Sequence, residues 1–164
     1  MTGARIEMTL KAQAAVEAID RLIAIRFHVM EPIGLALRQV TQARFFSESG
    51  PDGTPWKALN PAYAAIKKGP GILRGPVSDL WGSITFRASA SEVTIGSIKK
   101  YAAAQQFGAT ITAKNAKALR FQMAGGMMFR RSVTIPARPY LGFGDADQEA
   151  VLEVVDAAVQ SALE

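Results

Sequence analysis

Residues able to do chemistry are few in this sequence, and their spacing points away from catalysis. The chain has one histidine, His28, and no cysteine. Without cysteine there is no disulfide, no thiolate metal site and no Cys nucleophile. His28 falls at the end of an amphipathic stretch with no acid or base placed beside it, so it reads as structural rather than catalytic. Asp145, Asp147 and Glu149 alternate like the opening of a calcium loop, but the glycine and the distant bidentate glutamate of such a loop are missing. Gly142-Phe143-Gly144-Asp145 lacks the strand-then-helix setting of a dinucleotide fingerprint and reads as a helix lead-in. No G-x-S-x-G, phosphate loop or H-E-x-x-H motif occurs. The reading is a protein that is not an enzyme and takes no cofactor.

What remains is charge. Between residues 93 and 144 stand Lys99, Lys100, Lys114, Lys117, Arg120, Arg130, Arg131 and Arg138, with no acid. From 145 onward stand Asp145, Asp147, Glu149, Glu153, Asp156 and Glu164, with no base. A basic block followed by an acidic one fits a nucleic-acid surface, or complementary patches that steer copies of the chain together, or two solvated faces. FRRS and KALRFQ interleave bases with aromatics, as single-strand binders do, though alternation in a hairpin produces the same text.

The elements that must position these groups are legible from periodicity. The chain has 164 residues, 49% of them apolar and 20% charged, enough for a real core in one domain. No run approaches the ~20 apolar residues of a membrane span, and the N-terminus lacks a signal peptide's apolar region, so a soluble protein made inside the cell is expected. RIEMTL (5–10) alternates like a short strand. A helix follows, its stripe formed by Ala12, Ala15, Val16, Ile19, Leu22, Ile23 and Phe27, stopping before Glu31-Pro32. A second helix starts at that proline and runs to about Ser47, with Ile33, Ala36, Leu37, Val40 and Ala43 as its stripe, leading into Phe45-Phe46.

SESGPDGTPWKALNP (47–61) is loop, and Asn60-Pro61 caps a short helical piece. VSDLWGS reads as one or two helical turns. Residues 84–88 and 93–95 form an antiparallel hairpin, ATIT (109–112) is another strand, and ALRFQ (118–122) and FRRSVTI (129–135) flank a glycine turn. In the last helix Asp145 reads as the N-cap, Leu152, Val155, Val159 and Ala162 as the apolar face, and Glu149, Glu153 and Asp156 as the opposite one. The expected fold is α+β: N-terminal helices, a central antiparallel β-sheet with hairpins, and a C-terminal amphipathic helix. The expected layout is one domain over 1–164: helical over 1–48, loop-rich over 49–82, antiparallel sheet over 83–140, terminal helix over 145–163.

Three stretches in order, PDGTPWKALNP (51–61), KYAAAQQFGATI (100–111) and IPARPYLGFGDAD (135–147), resemble the virion-morphogenesis, or tail-completion, family of Mu-like tailed bacteriophages. Leu80-Trp81-Gly82-Ser83-Ile84 matches that family's L-x-x-S-I segment. The likeness runs from about residue 30 to 160. Two departures stand out: Gln105 replaces the family's usual histidine, and Ser78-Asp79 replaces a Thr-Gly.

The resemblance implies a non-enzymatic structural protein of a phage or prophage that completes the tail or joins it to the head at the neck. It implies a ring of copies assembled in the bacterial host cytoplasm. Partners would be the chain itself and neighbouring connector, terminator or tail-tube proteins, with passing DNA touched without sequence specificity; no membrane is implied. The alternative reading is a basic nucleic-acid-binding accessory protein of a mobile element. The resemblance marks Trp56, Leu59, Tyr101, Gln106, Gly108, Arg138, Pro139, Tyr140 and Leu141 as signature or interface residues, and the charge pattern adds Glu149 and Glu153. Trp56 and Leu59 are expected to pin their loop, either onto the chain's own helices or into a pocket on the next subunit. MAGGMMFRR (123–131) is expected to be mobile in the free monomer and ordered against a partner on assembly, or else to fold its methionines back onto the core.

Overall fold

The computed structural model describes residues 13–76, 80–114 and 116–163, with only the backbone of 14, 15, 18, 26 and 27. The strand expected at 5–10, Ala12 and the Ser78-Asp79 departure lie outside the described residues, as do the side chains of Ala15 and Phe27.

Helices α1 (Gln13–His28) and α2 (Met30–Ser47) follow one another with a break at Val29. Glu31 and Pro32 both sit in the first turn of α2, where a carboxylate suits the helix dipole and proline needs no hydrogen-bond donor. The helix ends at Glu48, whose φ of 56° is left-handed and whose N–H donates to the Arg44 carbonyl. α2 buries Ile33, Gly34, Thr41, Arg44 and Phe45. Ala43 and Phe46 of the expected stripe are exposed instead, and Arg44 is buried between them, for an electrostatic reason given below. At Gly34 an added Cβ would enter the Phe86 ring, so glycine is required for the helix to lie on the first hairpin.

The loop after α2 is a tight turn. Asp52 accepts hydrogen bonds from the Thr54 amide (3.0 Å) and hydroxyl (2.8 Å), which hold its carboxyl below the usual value, and Gly53 takes φ +76°. The Gly50 N–H donates to the Thr54 carbonyl at 2.9 Å, and the Trp56 N–H to the Glu48 carbonyl at 2.7 Å. The P-D-G-T-P run thereby returns the chain to the end of α2 with Trp56 pointing inward. In α3 (Pro61–Ala64) the Asn60 side chain accepts from the Ala62 N–H at 3.0 Å, as the sequence indicates.

A 3₁₀ turn, Trp81–Ser83, leads into the strands. All pairing is antiparallel, in three two-stranded ribbons. β1 (Ile84–Ala88) pairs with β2 (Val93–Ser97), Phe86 opposite Ile95. After α4 (Ala102–Phe107), β3 (Ala109–Thr112) pairs with β6 (Ser132–Ile135), and between them β4 (Leu119–Met123) pairs with β5 (Gly126–Arg130). FRRSVTI, read as one strand, is two. Arg131 separates β5 from β6, because each half serves a different partner. The fold class is α+β, with helices at both ends of the described chain.

Helix α5 (Asp145–Leu163) packs along both N-terminal helices. Its N-cap is Gly144 rather than Asp145: the Gly144 carbonyl takes the Asp147 and Gln148 amides, and the Asp147 carboxylate takes the Gly144 N–H at 2.9 Å. The inward face is shifted to match. Ala150, Val151, Val154, Val155, Ala158, Val159 and Ala162 are half-buried, whereas Leu152, assigned inward on periodicity, is exposed. The run V-L-E-V-V-D-A-A-V holds two overlapping apolar stripes, and the burial of Asp147 selects between them.

Candidate functional site: the signature knot and the surfaces it leaves open

The core cluster is Phe45, Trp56, Leu80, Ile84, Ala102 and Tyr140, with Ile72, Leu73, Trp81 and Leu141 packed against it. Three segments far apart in sequence meet here. The indole of Trp56 stands edge-on to Phe45, centroids 5.6 Å apart, and its Nε1–H donates to the Pro139 carbonyl at 2.7 Å. Phe45 also packs on Tyr140 at 5.2 Å. The Tyr140 hydroxyl donates to the Ala102 carbonyl at 3.3 Å, and burial raises its pKa. Trp56 is 6% exposed in the single chain, so its surface is spent on the chain's own core. Leu59 is half-buried beside it.

Gln106 from α4 grips the segment at 139–141 like a strand partner. Its Oε1 accepts from the Tyr140 and Leu141 amides at 3.0 and 2.9 Å, and its Nε2 donates to the Leu141 carbonyl at 2.8 Å. The Arg138 amide donates to the Gln105 carbonyl at 2.7 Å. Its guanidinium, 5% exposed, reaches the Lys57 carbonyl at 2.8 Å and that of Ala58 at 3.3 Å, fastening the Trp56 loop. Burial lowers the Arg138 pKa from its ordinary value, with Tyr63 acting the other way. Gly108 ends α4 at φ +74°, where a Cβ would press on the Ala137 nitrogen and the Ile135 carbonyl.

Arg44 and Asp147 complete the knot. The Arg44 guanidinium pairs with the Asp147 carboxylate and donates to the carbonyls of Tyr140 (3.0 Å) and Gly142 (3.2 Å). Both side chains are nearly without solvent contact. The sequence reading missed this pair, because nothing local couples residues 103 apart.

The structure therefore brings Trp56, Gln106, Gly108, Arg138, Pro139, Tyr140 and Leu141 together as one internal latch. Tyr101 is 40% exposed at the start of α4, and Glu149 and Glu153 lie on the solvent side of α5. The charge blocks are trimmed by folding. Arg138 leaves the basic surface and Asp147 the acidic one, while Lys100, Lys114, Lys117, Arg120, Arg130 and Arg131 stay exposed. Among the described residues no group of His, Asp or Glu could hold a metal ion, and no helix is long and apolar enough to cross a membrane.

Large apolar side chains remain on the outside. Val16, Ile19 and Ile23 of the α1 stripe are each more than half exposed. Periodicity reports that a helix has an apolar face, and here nothing among the described residues of the chain covers it. Phe107 and Phe143 are also bare. On the β4–β5 hairpin Met123 and Met128 are half-buried on one face, with the Ala124 amide bonded to the Ala62 carbonyl of α3. Met127 and Phe129 are exposed on the other.

Residues 8–160 match the phage virion morphogenesis family. A protein of Escherichia phage Mu, described as "Putative capsid assembly protein G", is 29% identical over 133 residues, covering 78% of this chain and 76% of its own length. No solved structure matches. The match takes in all three segments of the latch, and the chain belongs to the phage virion morphogenesis family.

Proposed function

We propose that the chain is a non-enzymatic assembly protein of a tailed phage, which completes the tail or joins it to the head at the neck as a ring of copies. It assembles in the bacterial cytoplasm, takes no cofactor, and contacts its own copies and neighbouring connector, terminator or tail-tube proteins. One observation carries the reading. Trp56, Gln106, Gly108, Arg138, Tyr140 and Leu141 of the signature are used up inside the latch, while apolar side chains on α1, α4 and the β4–β5 hairpin are left facing solvent. A rigid body with bare apolar patches is what a partner-dependent assembly component requires.

The test is a phage lacking this gene. DNA-filled heads and finished tails are expected to accumulate unjoined in the lysate, and purified protein added to it restores infectious particles. Intact virions without the gene would overturn the proposal. Failure to form heads would move the role to capsid assembly, the function in the Mu protein's name.

One observation favours a nucleic-acid surface within the same role. On the exposed face of the β4–β5 ribbon Arg120 stands directly opposite Phe129, and Arg130 and Arg131, next along the chain, are exposed as well. A base next to an aromatic ring suits contact with DNA that is not read for sequence. Binding that falls steeply with salt and is lost in R120E/R130E supports it; binding unchanged by those reversals removes it.

A further inference from the structure

We infer that copies of this chain join head to tail by laying the acidic outer face of α5 on the exposed face of a neighbour's β4–β5 ribbon. The inference rests on the ring reading above and names its contact.

The register of the ribbon sorts its side chains between two faces. Arg120 stands opposite Phe129 and Gln122 opposite Met127, so these four share one face, and all four are exposed. Phe121, Met123 and Met128 lie on the other face and are half-buried. The ribbon is fastened to α3, whose residues carry no charge. No acid occurs from Val93 to Gly144, and Arg130 and Arg131, next along the chain, are exposed as well. Phe129 is more than half exposed. The open side of the ribbon is therefore basic with an apolar centre.

Helix α5 presents the converse. At 3.6 residues per turn Asp145, Glu149, Leu152, Glu153, Asp156 and Leu163 fall within about 100° of one another, and all six are exposed. The helix contains no base. Val151, Val154, Ala158 and Ala162 are half-buried on the opposite side, where the helix packs on α1 and α2. Arg21 of α1 lines the groove between α1 and α5 with Val154 and Ala158, on that packed side. Leu152 and Leu163 are each more than half exposed among the acids.

Charge complementarity selects the occupant, because each element carries charge of one sign only and holds bare apolar side chains beside it. Laid together, the two faces bring Leu152 to Phe129 and Met127, and the carboxylates of α5 to Arg120 and the arginines that follow Phe129. DNA suits the arginine and the ring, but it leaves Met127 and the whole outer face of α5 in water. A second copy covers both faces with one contact. The two faces are different surfaces of the chain, so the contact is heterologous, and it closes into a ring or runs on as a filament.

Sedimentation velocity on the full chain at low ionic strength tests this by exchange of charge. The wild-type chain is expected to form an oligomer. R120E/Q122E and E149K/E153K each set like charges against one another at the contact, and each is expected to weaken assembly about tenfold. R120E/Q122E/E149K/E153K exchanges the two signs and is expected to regain the wild-type oligomer. E17K/D20K/R120E/Q122E carries the same net charge with the new lysines on α1, and is expected to stay impaired. All six positions are exposed, and circular dichroism confirms the fold of each variant.

A wild-type chain that stays monomeric overturns the inference, as does an oligomer that withstands either double variant. So does an exchanged variant that stays impaired, since the two faces then do not meet. Recovery with the lysines on α1 would mean that net charge alone governs assembly, and overturns it too. Loss of DNA binding in R120E/Q122E with the oligomer intact would assign the ribbon face to DNA. The tail-completion reading falls separately, by the gene-deletion phenotype, so the two failures are distinguishable.

Discussion

The Arg44 guanidinium, near the end of α2, is ion-paired with the Asp147 carboxylate in the first turn of α5, and both are buried. The pair does two jobs. Asp147 also takes the Gly144 amide that α5 leaves free, and Arg44 also holds the Tyr140 and Gly142 carbonyls. Asp147→Asn keeps an oxygen for Gly144 but leaves the arginine as an unpaired buried charge, which costs about 3–5 kcal/mol. The apolar replacement R44M/D147L removes both charges yet strands two carbonyls and one amide, so it recovers only part of that loss. Urea titration of wild type, R44M, D147L and R44M/D147L as a double-mutant cycle, with Asp147→Asn measured beside them, tests this. A loss under ~1 kcal/mol for Asp147→Asn would mean the pair is solvated.

Much of this architecture is legible in local text and some of it cannot be. The end of α2 at Ser47, the Asn60 cap and the β1–β2 hairpin follow from signals within a few residues of each other. The register of α5 does not. Its apolar run supports two phases, and the choice depends on Asp147 turning toward an arginine in another helix. Arg138 and Asp147 belong to blocks that look solvated on charge count, yet folding buries both because backbone carbonyls, or a partner charge, are waiting for them. The motif around Trp56 marks a place that matters without saying why. The reason lies in Pro139, 83 residues away.

Trp56→Ala is expected to cost about 3–5 kcal/mol, since it opens a cavity against Phe45 and leaves the Pro139 carbonyl without its donor. Trp56→Phe separates the two parts, retaining an aromatic body while losing the N–H, at about 1–3 kcal/mol. Thermal or urea unfolding of monomeric protein gives both values. If Trp56→Ala leaves monomer stability unchanged, the indole does not hold the loop to the core.

Tyr140 gives the stability a dependence on alkaline pH. Burial raises its pKa above the ordinary 10.0, so the unfolded chain ionises first. Below that value both states hold the proton and the contribution is fully present. Above it the unfolded state binds fewer protons, and stability falls as pH rises. Tyr140→Phe lacks this dependence and loses only the hydroxyl's bond to the Ala102 carbonyl, about 0.5–1.5 kcal/mol. The stability gap between wild type and variant is therefore constant below pH 10.0 and narrows above it. A gap that stays constant on both sides would mean that Tyr140 ionises as readily in the folded chain.

Glu149, Glu153 and Asp156 stand on the exposed side of α5, away from its packed face, while Lys100, Lys114, Lys117, Arg120, Arg130 and Arg131 are exposed in the preceding block. Charges so placed act on the encounter between copies and on their register, more than on the lifetime of the contact once formed. In the proposed assembly, apolar side chains such as those left bare on α1 govern that lifetime. The two therefore separate kinetically. Raising salt to ~0.15 M, where the Debye length is about 8 Å, is expected to slow association about tenfold and to change dissociation by less than about twofold. E149K/E153K is expected to slow association at low salt in the same way, with the unfolding of the monomer unchanged. I19D/I23D is expected to act instead by speeding dissociation. Subunit exchange between fluorescently labelled copies, followed at several ionic strengths, reads both rates. An association rate indifferent to salt and to the double charge reversal would leave the acidic and basic faces as solvated surface alone, with assembly held and steered by the apolar contact.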